Sequence, residues 1–351
     1  MLCYLQGEKM AKNNVIIKNG VRFEVAKYLK KVAPKCTKAV IITDNNVFML
    51  YAADVAASLK DAGINAYTFV MEAGEEHKNI KTYEAMINFV ADMKLTREDV
   101  IIALGGGVVG DLAGFVAATY MRGIKVIQVP TTLLACIDSS IGGKTGFDLP
   151  QGKNLIGAFH MPSAVLIDIE TLKTLPEIEF KNGLGEGIKY AFLIGKDTLD
   201  MLKNGLDDAT LLDFVARCVD YKLDIVAKDE KESGLRKLLN LGHTLGHAIE
   251  KESNYTIPHG LAVTKGTLCI ANASVKCGKL KKQAYLDAVE ICKKYDIDYT
   301  INYDIKKLIK NIEMDKKMHA DGDISFVDIN DLGNCEIRTV SIKELEEYLT
   351  K

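Results

Sequence analysis

The stretch Val100-Ile-Ile-Ala-Leu-Gly105-Gly-Gly-Val-Val-Gly110-Asp111 decides the fold class. Its apolar start, Val100–Leu104, reads as a buried strand, and the glycines then turn the chain into the helical pattern Leu112–Thr119. Gly105, Gly107 and Gly110 fit G-x-G-x-x-G in the strand–turn–helix setting that gives this motif its meaning. Glycines there let the backbone approach a pyrophosphate, and the helix N-terminus adds N–H donors and a positive dipole end. A tight turn without a ligand is the plain alternative for the bare motif. The next strand, Val126–Val129, ends in Pro130 rather than in an acid for a ribose, whereas Asp44 closes the upstream strand Ala39–Thr43. The pattern indicates nucleotide binding without ordinary Rossmann wiring.

Around this turn the first half alternates short apolar runs with helical patterns. Strands are expected at Asn14–Lys18, Ala39–Thr43, Ala66–Met71, Val100–Leu104, Val126–Val129 and Val165–Ile169, and helices at Val47–Ala62 and Ile80–Met93. Strands spaced by helices predict an α/β domain with a parallel Rossmann-like sheet covered on both faces. After Pro176 amphipathic helices dominate: Thr198–Asn204, Ala209–Lys228, Leu238–Glu250, Leu261–Cys277, Lys282–Tyr295 and Ile305–Met314, with a late hairpin from Ile324–Val327 and Glu336–Val340. The expected division is an α/β domain over 1–170 and a mostly helical domain over 171–351.

A chain of 351 residues can bury a large core. With 45 Lys and Arg against 47 Asp and Glu, it has no general attraction for nucleic acid or an anionic membrane. Eight cysteines without a Cys-x-x-Cys pair read as reduced thiols. Met1–Asn14 lacks the apolar core of a signal peptide, and Val100–Tyr120 carries too many glycines and Asp111 for a lipid-facing helix. These features predict a cytoplasmic protein.

Two groups of residues point to chemistry. Gly142-Gly-Lys144-Thr-Gly146 and Gly152-Lys153-Asn154 set lysines beside glycine-rich backbone, a suitable anion site. A Walker loop fails on spacing, because no glycine precedes Gly143-Lys144 at the required distance. The second group is Asn240-Leu-Gly-His243-Thr-Leu-Gly-His247, followed by Pro258-His259. His243 and His247 share a helix face at i, i+4, and Glu186 lies between glycines with Lys189 one turn on. A Glu/His/His set with an open position is a catalytic zinc arrangement, although spacing alone leaves open which two histidines ligate.

Together these segments resemble the 3-dehydroquinate synthase family over nearly the whole chain, from about Ala39 to Asp331. The resemblance is carried by Gly105–Arg122, Pro130-Thr-Thr-Leu-Leu, Asp138–Gly146, Lys153–Pro162, Gly185-Glu-Gly-Ile-Lys189, Asp229-Glu through Arg236-Lys-Leu-Leu-Asn240 to His247, and Asp315-Lys-Lys317. It implies an NAD-dependent phosphorus–oxygen lyase of the shikimate pathway of aromatic amino acid biosynthesis. Such an enzyme converts 3-deoxy-arabino-heptulosonate 7-phosphate to 3-dehydroquinate and phosphate. Zinc or cobalt would be held by Glu186, His243 and His259. NAD contacts carry over to Asp44, Glu75, Lys78, Gly107, Asp111, Thr131, Thr132, Lys144, Lys153 and Thr174; the glycine motif adds Gly110. Substrate contacts carry over to Asp138, Lys144, Asn154, Lys189, Lys222, Arg236, Asn240, His247 and Lys316. Arg122 is similar to the family's phosphate contact reached from a neighbouring subunit, which implies a homodimer. Cys136 and Glu72 depart from the family's usual glutamine and proline, at positions without a catalytic role. Another sugar phosphate cyclase, or an NAD- and metal-dependent polyol dehydrogenase of the same fold, is the alternative. A non-catalytic nucleotide-binding protein would tolerate loss of Lys144 or Glu186.

Overall fold

The computed structural model describes residues 3–5, 8–11, 14–316 and 323–350, with side chains over 14–313 and 323–350. Two compact units form, Met1–Pro176 and Glu177–Lys351.

The first unit runs β1 (Cys3–Leu5), β2 (Glu8–Ala11), β3 (Val15–Ile17), α1 (Val25–Val32), β4 (Lys38–Asp44) and α2 (Asn45–Val47). A π turn joins α2 to α3 (Ala53–Asp61), followed by β5 (Asn65–Met71), α4 (Ile80–Asp92), β6 (Val100–Gly105), α5 (Gly107–Thr119) and β7 (Lys125–Pro130). Then come β8 (Lys144–Leu149), β9 (Gly152–Phe159) and β10 (Ala164–Ile167). The sheet order is β1-β2-β3-β10-β7-β6-β4-β5. The six strands from β3 to β5 are parallel, as the alternating pattern predicts, and only β1 and β2 run antiparallel.

Alternate residues of the central strands feed two apolar layers. Ile41, Ile102 and Val129 pack with Val25, Leu29, Val55 and Leu59, whereas Val40, Ile42 and Ile101 pack with Met86, Val90, Leu112 and Val116. Burial on both faces explains why these strands are rich in β-branched residues rather than alternately polar. Each such side chain, fully removed from water, contributes on the order of 2 kcal/mol.

The glycine–lysine segments, which lie outside every expected strand, form an antiparallel hairpin, β8 with β9, pairing Lys144 with Phe159 and Gly146 with Gly157. Glycine hid the strand pattern. A Cβ on Gly146 would lie 2.3 Å from the Ile156 carbonyl oxygen, and one on Gly157 2.4 Å from that of Thr145. The two backbones meet where only glycine fits.

The second unit contains α6 (Glu177–Ile194), α7 (Lys196–Asn204), α8 (Asp208–Lys228), α9 (His243–Glu252), α10 (His259–Lys276), α11 (Lys282–Lys294) and α12 (Ile305–Lys316). The hairpin β11 (Asp323–Asp331) and β12 (Asn334–Ser341) precedes α13 (Ile342–Leu349). The expected helix Leu238–Glu250 is broken: a 3-10 turn covers Leu235–Asn240, and Gly242 at φ 78° caps α9. The left-handed glycine ends the first segment and restarts the chain, so Asn240 and His243 stand on separate elements. Helix α6 escaped the pattern because Gly183–Leu193 is buried all round, which erases amphipathic periodicity. Among the described residues no helix is long and apolar enough to cross a membrane.

Candidate metal centre and nucleotide turn

In the first unit, β6 delivers the chain to Gly105 and Gly106 caps α5. A Cβ on Gly106 would come 3.0 Å from Thr132 Cγ2, one on Gly107 3.0 Å from Ser139 Oγ, and one on Gly110 2.9 Å from Gln128 Oε1. The turn is thus pressed against the segment after β7. The hydroxyls of Thr43, Thr131 and Ser139 are buried and lack hydrogen-bond partners among the described residues. Thr43 and Thr131 lie at the carboxyl ends of β4 and β7, the edge where open α/β sheets bind ligands. Unpartnered buried hydroxyls beside a glycine turn fit a polar ligand that supplies the missing bonds.

Several candidate residues meet in the same unit. Lys78 Nζ donates to Asp111 Oδ2 and to Asn154 Oδ1, both at 2.7 Å, and Lys153 Nζ lies 3.6 Å from Glu75 Oε1. Burial alone would lower the Lys78 pKa, but Asp111 and Glu75 raise it above its ordinary value. Asp44 serves as helix cap, accepting from the Asn46 and Val47 N–H groups at 2.9 Å. Thr132 Oγ1 accepts from Ala135 N–H, while Thr174 bonds Tyr51 OH. Asp138 lies in the turn Ala135–Ser139, and Lys144 opens β8 with an exposed side chain. Arg122 is exposed in a left-handed run, Met121 at φ 50°, Arg122 at 68° and Gly123 at 118°. It follows the far end of the 13-residue α5, about 20 Å along the helix from the glycine turn.

In the second unit Glu186 sits on α6, His243 opens α9 and His259 opens α10. Their ligand atoms all lie within 4.8 Å of one another. Glu186 Oε1 is 3.5 Å from His243 Nε2 and 3.3 Å from His259 Nε2. A tetrahedral ion with ligands at about 2.0–2.1 Å requires ligand–ligand edges of roughly 3.3–3.4 Å, so the set fits zinc or a similar ion. The far ring nitrogens are tied as well: His243 Nδ1 to the Leu241 carbonyl at 3.1 Å and His259 Nδ1 to Glu250 Oε2 at 3.0 Å. With an ion bound, those bonds would hold Nδ1–H on each ring and leave Nε2 free to ligate.

Charge in this centre is uneven. Loss of solvent pushes His243 down to about 3, against the pull of Glu186. Desolvation also lowers His259, but its bonds to Glu186 and Glu250 carry it up to about 10. Lys189 Nζ lies 2.6 Å from Glu186 Oε2. The cations crowding this carboxylate occupy a place that a divalent ion fits electrostatically.

The helices reach this geometry through backbone contact. A Cβ on Gly185 would stand 2.1 Å from the Gly260 carbonyl oxygen, and one on Gly260 1.9 Å from that of Asn182. His247 joins the cluster, its ring centroid 5.5 Å from His243 and 5.7 Å from His259. Lys189, Lys222 and Arg236 are all buried in this unit. Asn240 Nδ2 donates to Glu232 Oε1 at 2.8 Å. Lys316 ends α12, and its side chain lies outside the described residues, as does Lys317. Two acids went unnoticed in the sequence. Glu250 had a weak signal, one turn after His247; Glu232 had none, since only the loop fold brings it to Asn240.

Comparison with known proteins follows from this geometry. The fold is shared with sugar phosphate cyclases. The 2-epi-5-epi-valiolone synthase of Streptomyces hygroscopicus subsp. jinggangensis, solved with NAD+ and Zn2+ bound, superposes at TM-score 0.85 and 24% identity over 99% of this chain and 98% of that one. A 2-deoxy-scyllo-inosose synthase complexed with carbaglucose-6-phosphate, NAD+ and Co2+ gives TM-score 0.82 and 23% identity over 94% of each. The family models for the 3-dehydroquinate synthase N-terminal and C-terminal parts match residues 68–182 and 183–318. The 3-dehydroquinate synthase of Streptococcus gordonii is 40% identical over 347 residues, 96% of this chain and 97% of that protein. The chain belongs to the 3-dehydroquinate synthase family.

Proposed function

We propose that the chain converts 3-deoxy-arabino-heptulosonate 7-phosphate to 3-dehydroquinate and inorganic phosphate, with NAD and a divalent ion, zinc or cobalt, as cofactors. The observation that carries this reading is the centre of Glu186, His243 and His259, with ligand spacing suited to a tetrahedral ion and both far ring nitrogens anchored. When bound, the ion would supply Lewis acidity and NAD would supply reversible hydride acceptance, which leaves the overall reaction without net redox change.

The chain's own residues have the remaining tasks. Lys189, Lys222 and Arg236, buried although the protein is slightly acidic overall, suit a phosphate and a carboxylate, with Arg236 the natural bidentate partner. Asn240 would orient a hydroxyl, and His247 would hold or pass a proton near neutral pH. Lys316 carries a substrate contact by resemblance. In the first unit, the glycine turn at Gly107 and Gly110, with Thr131 and Thr132, would take the pyrophosphate. Asp44, Glu75, Lys78, Asp111, Lys153 and Thr174 would complete the nucleotide site, and Asp138, Lys144 and Asn154 carry substrate contacts. Because the leaving phosphate can itself accept the proton lost in its elimination, the protein's main contribution is orientation.

The test is incubation with the heptulosonate phosphate, NAD and zinc or cobalt. Phosphate and dehydroquinate should appear in equal amounts without NADH accumulating. No phosphate release would overturn the reading, and steady NADH formation from simple polyols would replace it with a dehydrogenase.

We also propose a homodimer in which Arg122 serves the neighbouring site. Its place beyond the far end of α5 supports this. Arg122→Ala and Glu186→Gln should each be inactive alone. Co-expressed, they should regain roughly a quarter of wild-type activity through mixed dimers with one intact site. No recovery in mixed dimers would remove the shared-site reading.

A further inference from the structure

We propose that Asp229 is a positioning residue for Arg236, folding the segment 229–236 so that the guanidinium is held ready for an anionic group of the substrate. The inference rests on the anion-binding role given to Arg236 above. Helix α8 ends at Lys228, and the chain must then turn back to deliver Arg236 to a buried place. Asp229 is the hub of that turn. Its Oδ1 accepts from the Ser233 N–H at 2.9 Å and the Ser233 hydroxyl at 3.0 Å. Its Oδ2 accepts from the Gly234 N–H at 2.7 Å and the Arg236 N–H at 3.0 Å.

Four donors from three residues therefore converge on one carboxylate. The Arg236 N–H makes the largest contribution, and together these bonds hold the Asp229 carboxyl well below the usual carboxylate range. Glu232, inside the loop, takes the left-handed region at φ 59°, and Arg236 Nη1 donates to the Glu230 carbonyl at 2.6 Å. The choice of partners is informative. Asp229 binds the main chain from which Arg236 projects, and not the guanidinium itself. An acid paired with the guanidinium would neutralise the charge that an anionic substrate needs. An acid on the loop backbone fixes position without itself pairing with the guanidinium.

The experiment compares wild type, Asp229→Ala, Asp229→Asn, Arg236→Ala and the double variant Asp229→Ala/Arg236→Ala. Each is assayed for kcat and KM with the heptulosonate phosphate, and for metal content. Failure of wild type to release phosphate would refute the functional reading; the positioning role is judged on an active wild type. Asp229→Ala should lower kcat/KM on the order of 100-fold, mostly through KM, with metal content retained. Asp229→Asn, which keeps part of the acceptor set, should fall between. The double variant should be no worse than Arg236→Ala alone. Wild-type KM in Asp229→Ala, or losses that multiply in the double variant, would overturn the proposal. If Asp229→Ala does not fold, Asp229→Asn decides: an elevated KM supports the role, and an unchanged one defeats it.

Discussion

The two units assemble their candidate sites by opposite means. In the first, Asp44, Gly105 and Thr131 stand at or just beyond the carboxyl ends of β4, β6 and β7, which are neighbours in one parallel sheet. The sheet itself aligns the strand ends, so each local motif arrives at the site edge without special packing. In the second unit no such lattice exists. Glu186, His243 and His259 come from three helices and meet because glycine backbones touch where α6 approaches α10. A sheet edge tolerates variation in its loops, whereas a metal site assembled from helices depends on how closely their axes approach.

The largest expected effect breaks the second unit alone. Glu186→Gln removes the charged ligand and should lower activity on the order of a thousandfold, about 4 kcal/mol of lost transition-state stabilisation. Bound metal, measured by atomic absorption, should fall with it. NAD affinity, followed by cofactor fluorescence, should stay within about twofold, because Glu186 belongs to the second unit and the proposed nucleotide residues to the first. A matching loss of NAD binding would show that the two halves are not independent.

Gly260→Ala tests the contact rather than the ligand. Its new Cβ would lie 1.9 Å from the Asn182 carbonyl oxygen, so α6 and α10 must separate. Overpacking of this kind costs roughly 1–3 kcal/mol. Thermal unfolding should shift downward, and zinc affinity should drop although every ligand is present. Normal zinc affinity in a destabilised variant would separate packing from metal geometry and weaken the comparison.

This difference also sets how much was legible in the sequence. Five of the six parallel strands are visible because burial on both faces writes a continuous apolar run, whereas β5 is half-exposed at the edge; the glycine turn is visible because its motif is local. The hairpin β8–β9 is not, since Gly146 and Gly157 replace the alternation that announces a strand. Helix α6 is hidden by the opposite excess: burial all round leaves no stripe. In the candidate metal centre the three proposed ligands follow from family resemblance, and the spacing of His243 and His247 alone would have left both in play. Glu250 becomes apparent only in three dimensions, because it acts through the far nitrogen of a histidine; Asp229 opens a stretch that carries the resemblance, but its bonds to a loop's main chain are legible only in the fold.

Glu250→Gln gives the next effect in size. The Glu250 carboxylate accepts from His259 Nδ1 and so orients the ring and strengthens its other nitrogen. Outer partners of this kind are worth about 10- to 100-fold in metal affinity. A zinc titration with a competing chelator should show that weakening, with activity restored by excess metal. An unchanged affinity would mean that the helix contacts alone fix His259.

The smallest effect falls on the first unit and separates two roles of one residue. Asp44 caps α2 through the N–H groups of Asn46 and Val47, and it is also the acid proposed for the nucleotide. Asparagine caps a helix about as well as aspartate, whereas alanine costs about 1 kcal/mol. Asp44→Ala should therefore lower the melting temperature by a few degrees, on the order expected from ~1 kcal/mol in a chain of this size, and Asp44→Asn should not. NAD binding divides the pair differently. If the carboxylate meets the cofactor, both variants weaken NAD to a similar extent although only one is destabilised. If Asp44→Asn binds NAD like wild type, the acid is a cap and nothing more, and the nucleotide site draws on its other proposed residues. Either way the metal centre should be untouched, since its proposed ligands belong to the second unit and Asp44 to the first.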